Sequence, residues 1–313
     1  MTLLWVLALA AGIVVVAVAS RRAVGAALEV ADGLGVAVGV VGVSVLAIGT
    51  DLPEIANSLI ASVSGHGDLN VGDSTGSALT QVTLVLALLV LAAGLTGESG
   101  REEWPVVVLA GALCVVALGV LALLISDGFL GRLDGLLLVV GWVFGMWWLE
   151  RRSRAAEQPR PRPSAAVSGG VARTLLWLGL VGASATVIVE SFLQLTEVLG
   201  VPEFVASSIV LALGTSLPEL VVSWTAIRRG AAALAIGDLF GSSLADSTLS
   251  VGTGPVVHGT PVSSEAVLGT LVCAGGVAVA TLVVAMVRRR RGLAGALLAT
   301  YVAGIAGLAL VAG

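Results

Sequence analysis

Charged residues are scarce in this sequence, and their scarcity excludes a soluble globular domain. Of the 313 residues only 12% are charged, whereas 57% are hydrophobic and the mean hydropathy is +1.06. Soluble domains contain roughly 25% charged and roughly 45–50% apolar residues. The chain is therefore predicted to lie in a lipid bilayer.

Cysteine is rare and lysine is absent. Cys114 and Cys273 lie inside apolar runs and have no partners at metal-ligand spacing, so neither a disulfide framework nor a zinc site has support. All sixteen basic residues are arginines in short clusters, which give nucleic acid no basic face to bind. We expect no nucleic-acid partner, and no obligate protein partner is evident.

Long apolar runs predict the membrane topology. A membrane-spanning helix needs about 20 mostly apolar residues. On this rule the sequence predicts ten spans, at 2–19, 35–63, 71–95, 104–125, 129–150, 173–195, 201–227, 233–257, 265–287 and 293–312. Residues 20–34 are predicted either to extend the first helix or to form an amphipathic connector.

The arginines predict the orientation of these spans. With the N-terminus outside, fifteen of the sixteen arginines fall in inside loops, and Arg132 is the exception. Cytoplasmic loops are enriched in positive charge. We therefore expect a multi-pass protein of the cell membrane with both termini external.

A Pro-, Ser- and Arg-rich stretch divides the chain. Residues 151–172 predict a flexible cytoplasmic linker between two five-helix halves, at 1–150 and 173–313. Because each half has an odd number of spans, the second half enters the membrane from the opposite side. The predicted fold class is an all-α polytopic membrane protein with two inverted five-helix repeats, an architecture that recurs in secondary transporters.

One stretch occurs twice, at 45–84 and 210–249, and nineteen of its forty positions are identical without a gap. Each copy carries the pattern GT-x-LPE followed by GD-x-x-GS. Proline and glycine weaken a helix, so breaks are predicted from Thr50 to Pro53 and from Thr215 to Pro218. A break frees backbone carbonyls, which the membrane tolerates only around a cavity or inside protein.

The polar residues of each copy are spaced for one helical face. Residues four apart lie on the same side of a helix. The pairs with this spacing are Thr50 and Glu54, Asp73 and Ser77, Ser77 and Gln81, Thr215 and Glu219, Asp238 and Ser242, and Ser242 and Asp246. Carboxylate, hydroxyl and carbonyl oxygens suit calcium or sodium, so the two halves are predicted to surround a central ion cluster.

Four short motifs resemble those of the calcium/cation antiporter superfamily, and within it those of prokaryotic sodium/calcium exchangers. The motifs are GTDLPE, GTSLPE, GDSTGS and GDLFGS. The resemblance implies a transporter, not an enzyme, that exchanges Ca²⁺ for Na⁺ by alternating access and has no cofactor besides these transported ions. It implies that spans one and six slide across the other eight. It also implies that Glu54 and Glu219 are the main calcium ligands. Further oxygens are expected from Thr50, Ser77, Thr215, Ser216, Ser242 and Asp246.

The sequence departs from the family pattern at four positions. Asp51 replaces the usual serine, Gln81 replaces asparagine, and Asp73 and Asp238 stand where the family has GN. Asp51 is interpreted as an ion contact, Asp73 and Asp238 as either ion ligands or helix caps, and Gln81 as either a ligand or an interhelical hydrogen-bond partner. The added carboxylates must be neutralised by bound cations or by protons, so Ca²⁺/H⁺ antiport is the alternative function.

Two remote alternatives share some of these features. An intramembrane aspartyl protease could use Asp73 and Asp238 as an acid/base dyad, but the sequence reads NVGD and AIGD where such enzymes have GxGD. A passive cation channel would share the oxygen ligands. Paired broken helices in inverted halves favour alternating access, and the GT-x-LPE words resemble the sodium-coupled branch more than the GNATE-like words of the proton-coupled branch.

Overall fold

Ten helices make up almost all of the computed structural model, which describes residues 2–34, 42–93, 104–154, 166–196, 203–287 and 290–311. Six of them are α1 (Thr2–Leu34), α4 (Trp104–Leu124), α5 (Arg132–Arg154), α6 (Ala166–Thr196), α9 (Ser264–Met286) and α10 (Arg290–Val311). Two are broken: α2 is Gly42–Leu46, Ala47–Thr50 and Leu52–Val63, and α7 is Glu203–Ala206, Ser207–Leu211, Ala212–Thr215 and Leu217–Arg228. Two others have π turns after their first α-helical part: α3 is Gly67–Thr80, Gln81–Val85 (π), Leu86–Leu88 and Leu89–Ala93 (π), and α8 is Ala232–Ala245, Asp246–Ser250 (π) and Val251–Val257. The segments Gly42–Leu46 of α2 and Ser207–Leu211 of α7 are π turns as well.

The breaks lie where proline and glycine predict them. Asp51 separates the halves of α2 with ψ of 4°, and Ser216 separates those of α7 with ψ of 2°. In both helices a proline stands at the start of the second half, where a missing backbone N–H costs no helical hydrogen bond. The halves of α7 are bent by 41°, so the prediction of two broken helices is confirmed.

The duplication in sequence is also a duplication in structure. The break, the start of the following motif helix and two of the three π segments of α2 and α3 recur 165 residues later in α7 and α8, whereas the π segment Leu89–Ala93 has no π counterpart in α8. The turns between the paired helices repeat as well, since Gly65 and Gly230 have φ of 79° and 78°. This left-handed backbone favours glycine because it has no Cβ.

Contacts between loops show which helix ends share a face of the molecule. Between α4 and α5 a short 3₁₀ turn, Ile125–Asp127, precedes the strand β1 (Phe129–Leu130). This strand pairs antiparallel with β2 (Thr260–Pro261), which lies between α8 and α9, and the register joins Phe129 to Pro261. The α2–α3 turn is at the same end, since Asp68 Oδ1 accepts a hydrogen bond from the Ser263 N–H at 2.7 Å. We call this end the hairpin face, and it is the end that the arginine pattern predicts to be external.

Several predicted boundaries need correction. The first span was predicted at 2–19, but α1 continues to Leu34, so residues 20–34 extend the helix. The third span starts at Gly67 instead of residue 71. Residues 151–154 belong to α5 and 166–172 to α6, which narrows the predicted linker to residues 155–165. Those linker residues lie outside the described part of the chain.

Length and hydropathy alone recognise only part of this topology. Among the described residues five helices pass such a test, or six when Ser207–Thr215 and Leu217–Arg228 count as one bent span. The break at Asp51 divides α2, and the polar motif residues lower the hydropathy of α8. The functional features of these helices thus make them atypical spans.

Each broken helix packs against the motif helix of the other repeat. A Cβ placed on Gly76 of α3 would lie 2.2 Å from the Ser208 carbonyl oxygen of α7. A Cβ on Gly42 of α2 would lie 2.4 Å from the Leu234 carbonyl oxygen of α8. The two halves of the chain therefore interlock at backbone-to-backbone distance, and side chains have no room at these crossings.

This close approach predicts the effect of adding one methyl group. Gly76→Ala should lower the free energy of unfolding by about 1–3 kcal/mol, because the added Cβ meets rigid backbone. Gly119→Ala, in α4, is the matched control, since a Cβ there meets no atom within 4 Å. The measurement is thermal unfolding of the purified proteins in detergent. Equal stability of the two variants would show that this crossing is not tightly packed.

Candidate cation-binding site

The two helix breaks put one glutamate each at the start of a half helix. Glu54 lies in the first turn of the second half of α2, and Glu219 occupies the same place in α7. Their side chains are 1% and 0% exposed. The N-terminus of a helix carries a partial positive charge, which favours a carboxylate there. The breaks therefore create two local positions where a buried acid is less costly than in mid-helix.

The threonines before the breaks reach into the opposite repeat. Thr50 Oγ1 lies 3.1 Å from Ser242 Oγ and 3.5 Å from Asp238 Oδ1. In the second repeat, Thr215 Oγ1 lies 3.0 Å from Ser77 Oγ, and it also donates to an aspartate of α3 at 3.0 Å. The GT-x-LPE motif of each half is thus completed by the GD-x-x-GS motif of the other. The predicted alignment of residues four apart is confirmed for one pair in α3 and one in α8, because both residues of each pair contact one threonine of the other repeat.

The aspartate of α3 that contacts Thr215 is Asp73. Neither Asp73 nor Asp238 is a helix cap. The capping interpretation is wrong because α3 begins at Gly67 and α8 at Ala232, so each aspartate lies six residues beyond the helix start. Asp73 Oδ2 accepts a hydrogen bond from Asn57 Nδ2 at 2.7 Å. Asp238 Oδ2 accepts a hydrogen bond from Ser223 Oγ at 2.8 Å. Both carboxylates therefore have two hydrogen-bond donors from other helices.

Two residues at matching positions of the repeats bind each other. Gln81 Nε2 donates to Asp246 Oδ2 at 2.9 Å, and each residue begins the π turn of its helix. The other end of the amide is also occupied, because Ser243 Oγ donates to Gln81 Oε1 at 2.9 Å. Gln81 thus forms the interhelical hydrogen bonds of one of its two interpretations. π turns are frequent at functional sites, and here the hydrogen bond between the first residues of two π turns joins α3 to α8.

Several oxygens in this region have no hydrogen-bond partner in the described structure. They are both carboxylate oxygens of Asp51, Glu54 and Glu219, Oδ1 of Asp246 and Oγ of Ser216. Leaving a buried polar group without a partner costs roughly 1–3 kcal/mol, and more when the group is charged. Seven unpartnered carboxylate oxygens in one region therefore indicate a site built to bind something else.

The electrostatics of the region have the same implication. Each of the other five acids, Asp51, Glu54, Asp73, Asp238 and Asp246, interacts electrostatically with Glu219. No described basic side chain pairs with any of the six, and the described ion pair, Arg173 with Glu29, is at the surface. Buried carboxylates without basic partners need another source of positive charge. Cations or protons must supply it.

All twelve residues that the sequence predicts as ligands are buried to 2% exposure or less. The oxygens that remain free combine carboxylates with one hydroxyl, as a hard cation prefers. No group of three or more His, Cys, Asp or Glu side chains among the described residues is arranged around a single metal position.

Some polar partners of the cluster have apolar counterparts in the other repeat. Asn57 aligns with Val222 in the other repeat, so the comparison of the two copies gave no signal for it. Its position three residues after Glu54 does place it on the same helical face. Ser243 also gave no signal in the comparison of the two copies, because its counterpart is Ala78. Cys114 is buried, and its thiol lies 3.0 Å from Ser247 Oγ.

Known proteins share both the sequence pattern and the fold. The family model of the sodium/calcium exchanger protein matches residues 4–149 and 170–310. Inner membrane protein YrbG of Escherichia coli is 31% identical over 261 residues, covering 77% of this chain and 76% of YrbG. Sodium/calcium exchanger MaX1 of Methanosarcina acetivorans is 24% identical over 279 residues, with 77% and 79% coverage.

Solved structures of the sodium-calcium exchanger NCX_Mj show the same architecture. One of them, from a crystal soaked with 2.5 mM Na⁺ and 0.1 mM Sr²⁺, aligns with a TM-score of 0.75 and 24% identity over 98% of this chain and 99% of that chain. That exchanger has ten helices in two inverted repeats, which confirms the predicted fold class. With this fold, two matched halves and a buried cluster of acidic residues, the chain is a membrane-embedded cation antiporter that belongs to the sodium/calcium exchanger protein family.

Proposed function

We propose that this protein exchanges Ca²⁺ for Na⁺ across the cell membrane, with Glu54 and Glu219 as the main calcium ligands. The observation that carries the proposal is the state of these two glutamates, whose four carboxylate oxygens are buried and unpartnered in the described structure. Together they offer two negative charges to one divalent ion. Calcium binds hard oxygen ligands of this kind.

Sodium binding has support from the neutral oxygens nearby. Two hydroxyl pairs lie at the breaks: Thr50–Ser242 at the break of α2 and Thr215–Ser77 at the break of α7. In addition, Ser216 Oγ has no hydrogen-bond partner in the described structure. A site made of neutral hydroxyl oxygens, with few carboxylates, suits a monovalent cation better than a divalent one. MaX1 is named a sodium/calcium exchanger, and the NCX_Mj crystals were soaked with Na⁺ and with Sr²⁺ or Ca²⁺. These names support the same pair of ions for this chain.

The helices α1 and α6 are the pair proposed to slide for alternating access, and α6 packs beside the break of α2. The α6 residue Leu178 contacts Gly49 of α2 so closely that a Cβ on the glycine would lie 2.3 Å away. A Cβ on Gly182 of α6 would lie 2.9 Å from Leu52 Cβ, beside the same break. Arg173 and Glu29 join α6 to α1 at 2.7 Å. In the proposed mechanism α1 and α6 move as a pair over the broken helices.

Proton coupling is the second candidate, and Asp51 favours it. Both of its carboxylate oxygens are buried and unpartnered, and it interacts electrostatically with Asp246 and Glu219. Its counterpart in the other repeat is the neutral Ser216. A proton on Asp51 would neutralise the extra charge as a cation does, and Ca²⁺/H⁺ exchange would follow if that proton crossed the membrane.

The remaining features of the proposal follow from transport chemistry. Exchange of ions needs no covalent step, so we propose no enzymatic activity and no resident cofactor, with Ca²⁺ and Na⁺ as cargo. The hairpin face is external, both termini are external, and the linker within 151–172 is cytoplasmic. This orientation keeps the arginine clusters inside, in line with the positive-inside rule.

Calcium uptake into proteoliposomes separates the two coupling modes. Vesicles containing the purified protein are given an outward Na⁺ gradient, an outward H⁺ gradient or no gradient. The proposal expects uptake with the Na⁺ gradient alone. Uptake with the H⁺ gradient alone would replace it with Ca²⁺/H⁺ exchange, and uptake without a gradient would indicate a passive channel.

The glutamate assignment predicts a charge-specific loss. Glu54→Gln or Glu219→Gln should reduce Na⁺-driven Ca²⁺ uptake by more than about tenfold, equivalent to about 1.4 kcal/mol or more, while the protein still folds. The reason is that the amide keeps the shape of the side chain but removes a charged ligand. Glu265→Gln, at an exposed glutamate in the first turn of α9, is the matched control and should transport normally. Near-normal uptake in both site variants would remove the glutamates as ligands.

The role of Asp51 predicts a change in pH dependence. Asp51→Ser gives the first break the residue of the second break, so the carboxylate is lost while a small polar side chain remains. Between about pH 6 and 8 the variant's Ca²⁺ uptake should vary with pH at most half as steeply as that of the wild type, because one proton competitor is gone. Asp127→Ser, at an exposed turn, should keep the wild-type profile. An unchanged profile in Asp51→Ser would exclude this residue as the proton-sensitive group.

A further inference from the structure

Unpartnered buried oxygens also occur away from the central acids. Ser62 Oγ of α2, Asn70 Oδ1 of α3 and Ser250 Oγ of α8 accept or donate no hydrogen bond within the described structure, and all three residues are 1% exposed or less. Each lies between the central cluster and the hairpin face. Since each such group has a desolvation cost, three in one region suggest that they serve a ligand.

These three residues converge on one segment of α8. Asn70 Nδ2 donates to the Val251 carbonyl at 3.0 Å, which fixes the amide and leaves its oxygen free. Ser62 Oγ lies against Gly254, where a Cβ would be only 2.4 Å away. Ser250 is four residues after Asp246, one helical turn towards the hairpin face. The free oxygens therefore lead outward from a central carboxylate.

A surface pocket lies beyond them in the same direction. Its volume is about 330 Å³, and it is lined by Gly65 to Asp68 and Pro261 to Ser263. Asp68 supplies a carboxylate there and precedes Asn70 by two residues on α3. The order from surface to centre is a pocket with one carboxylate, the three neutral oxygens and the acidic cluster.

The other half of the molecule lacks this arrangement. At the positions related by the offset of 165 residues, Ser62 corresponds to Ile227, Asn70 to Ala235 and Ser250 to Val85. Ala235 and Val85 are 0% and 4% exposed, and they belong to hydrophobic clusters of the core. The duplicated scaffold is therefore polar towards the hairpin face and apolar at the matching level of the opposite side.

We propose that Ser62, Asn70 and Ser250 form an outer transit site, which holds a partly hydrated Na⁺ or Ca²⁺ between the surface pocket and the central acids. The site has only neutral oxygens, so it binds weakly, as a transit position requires if the ion is to move on. Its cation specificity rests on the proposed function, whereas its access to water does not.

Cysteine accessibility tests the water path directly. Ser62→Cys, Ser250→Cys, Ala235→Cys and Val85→Cys are made in the full chain, placed in nanodiscs and treated with a small cationic thiol reagent. Both faces are open to the reagent there, so the result does not depend on orientation. The wild type is the background control because Cys114 and Cys273 are buried.

The two outer cysteines should react at least about tenfold faster than the two inner ones, because a thiol in water ionises more readily than one in apolar surroundings. Ca²⁺ or Na⁺ should slow the outer reaction. Equal reactivity at both levels would overturn the water path. A fast outer reaction that neither cation slows would overturn the cation site, while leaving the proposed exchange to the gradient experiment.

Transport provides an independent measurement. Ser62→Ala removes an oxygen with no hydrogen bond in the described structure, so folding stability should not fall. Ca²⁺ uptake should nevertheless fall by about threefold to tenfold, the effect expected for the loss of one oxygen contact. Ser20→Ala is the matched control, since Ser20 Oγ is also buried and unpartnered but lies on α1. Equal uptake by Ser62→Ala and Ser20→Ala would contradict a transit role for Ser62.

Discussion

Buried negative charge without a protein counter-charge is the constraint on which this structure depends. Six carboxylates share one electrostatic neighbourhood, and Asp51, Glu54 and Glu219 have no hydrogen-bond partner in the described structure. In the low dielectric of a membrane protein such a cluster is stable only with bound cations or protons. The helix breaks reduce the cost by placing Glu54 and Glu219 at helix N-termini. Neutralisation of these carboxylates, by cations or by protons, is thus also a condition for the stability of the fold.

The interlock of the two repeats determines how the charges are held. Thr50 contacts α8, and Thr215 contacts α3, so neither repeat completes its own site. Small residues such as Gly76 let the backbones approach closely enough for these short side chains to meet. Each break region is therefore surrounded by groups from both halves of the chain.

The repeats are most informative where they differ. Asp51 corresponds to Ser216, and Gln81 corresponds to Asp246, to which it is hydrogen-bonded. The first of these differences places one extra carboxylate on one side of the pseudo-symmetric site, and the second exchanges an amide for an acid. A perfectly symmetric site would present the same ligands to both faces of the membrane. The differences therefore provide the chemistry by which one face can be distinguished from the other.

The sequence by itself determined the features that depend on local chemistry: the membrane class, the number of spans, the duplication and the breaks beside Pro53 and Pro218. Composition, an offset of 165 residues and the backbone limits of proline are readable without neighbours. Only the tertiary structure decided which polar groups meet. Asp73 was open to a capping role until the helix start at Gly67 placed it six residues into α3, against Thr215 from the other repeat. Asn57, the partner of that aspartate, has Val222 as its counterpart and so left no trace in the repeat comparison. The physical reason is that Asp73 and Thr215 are 142 residues apart in the chain, and their contact exists only because glycine crossings let the two halves interlock.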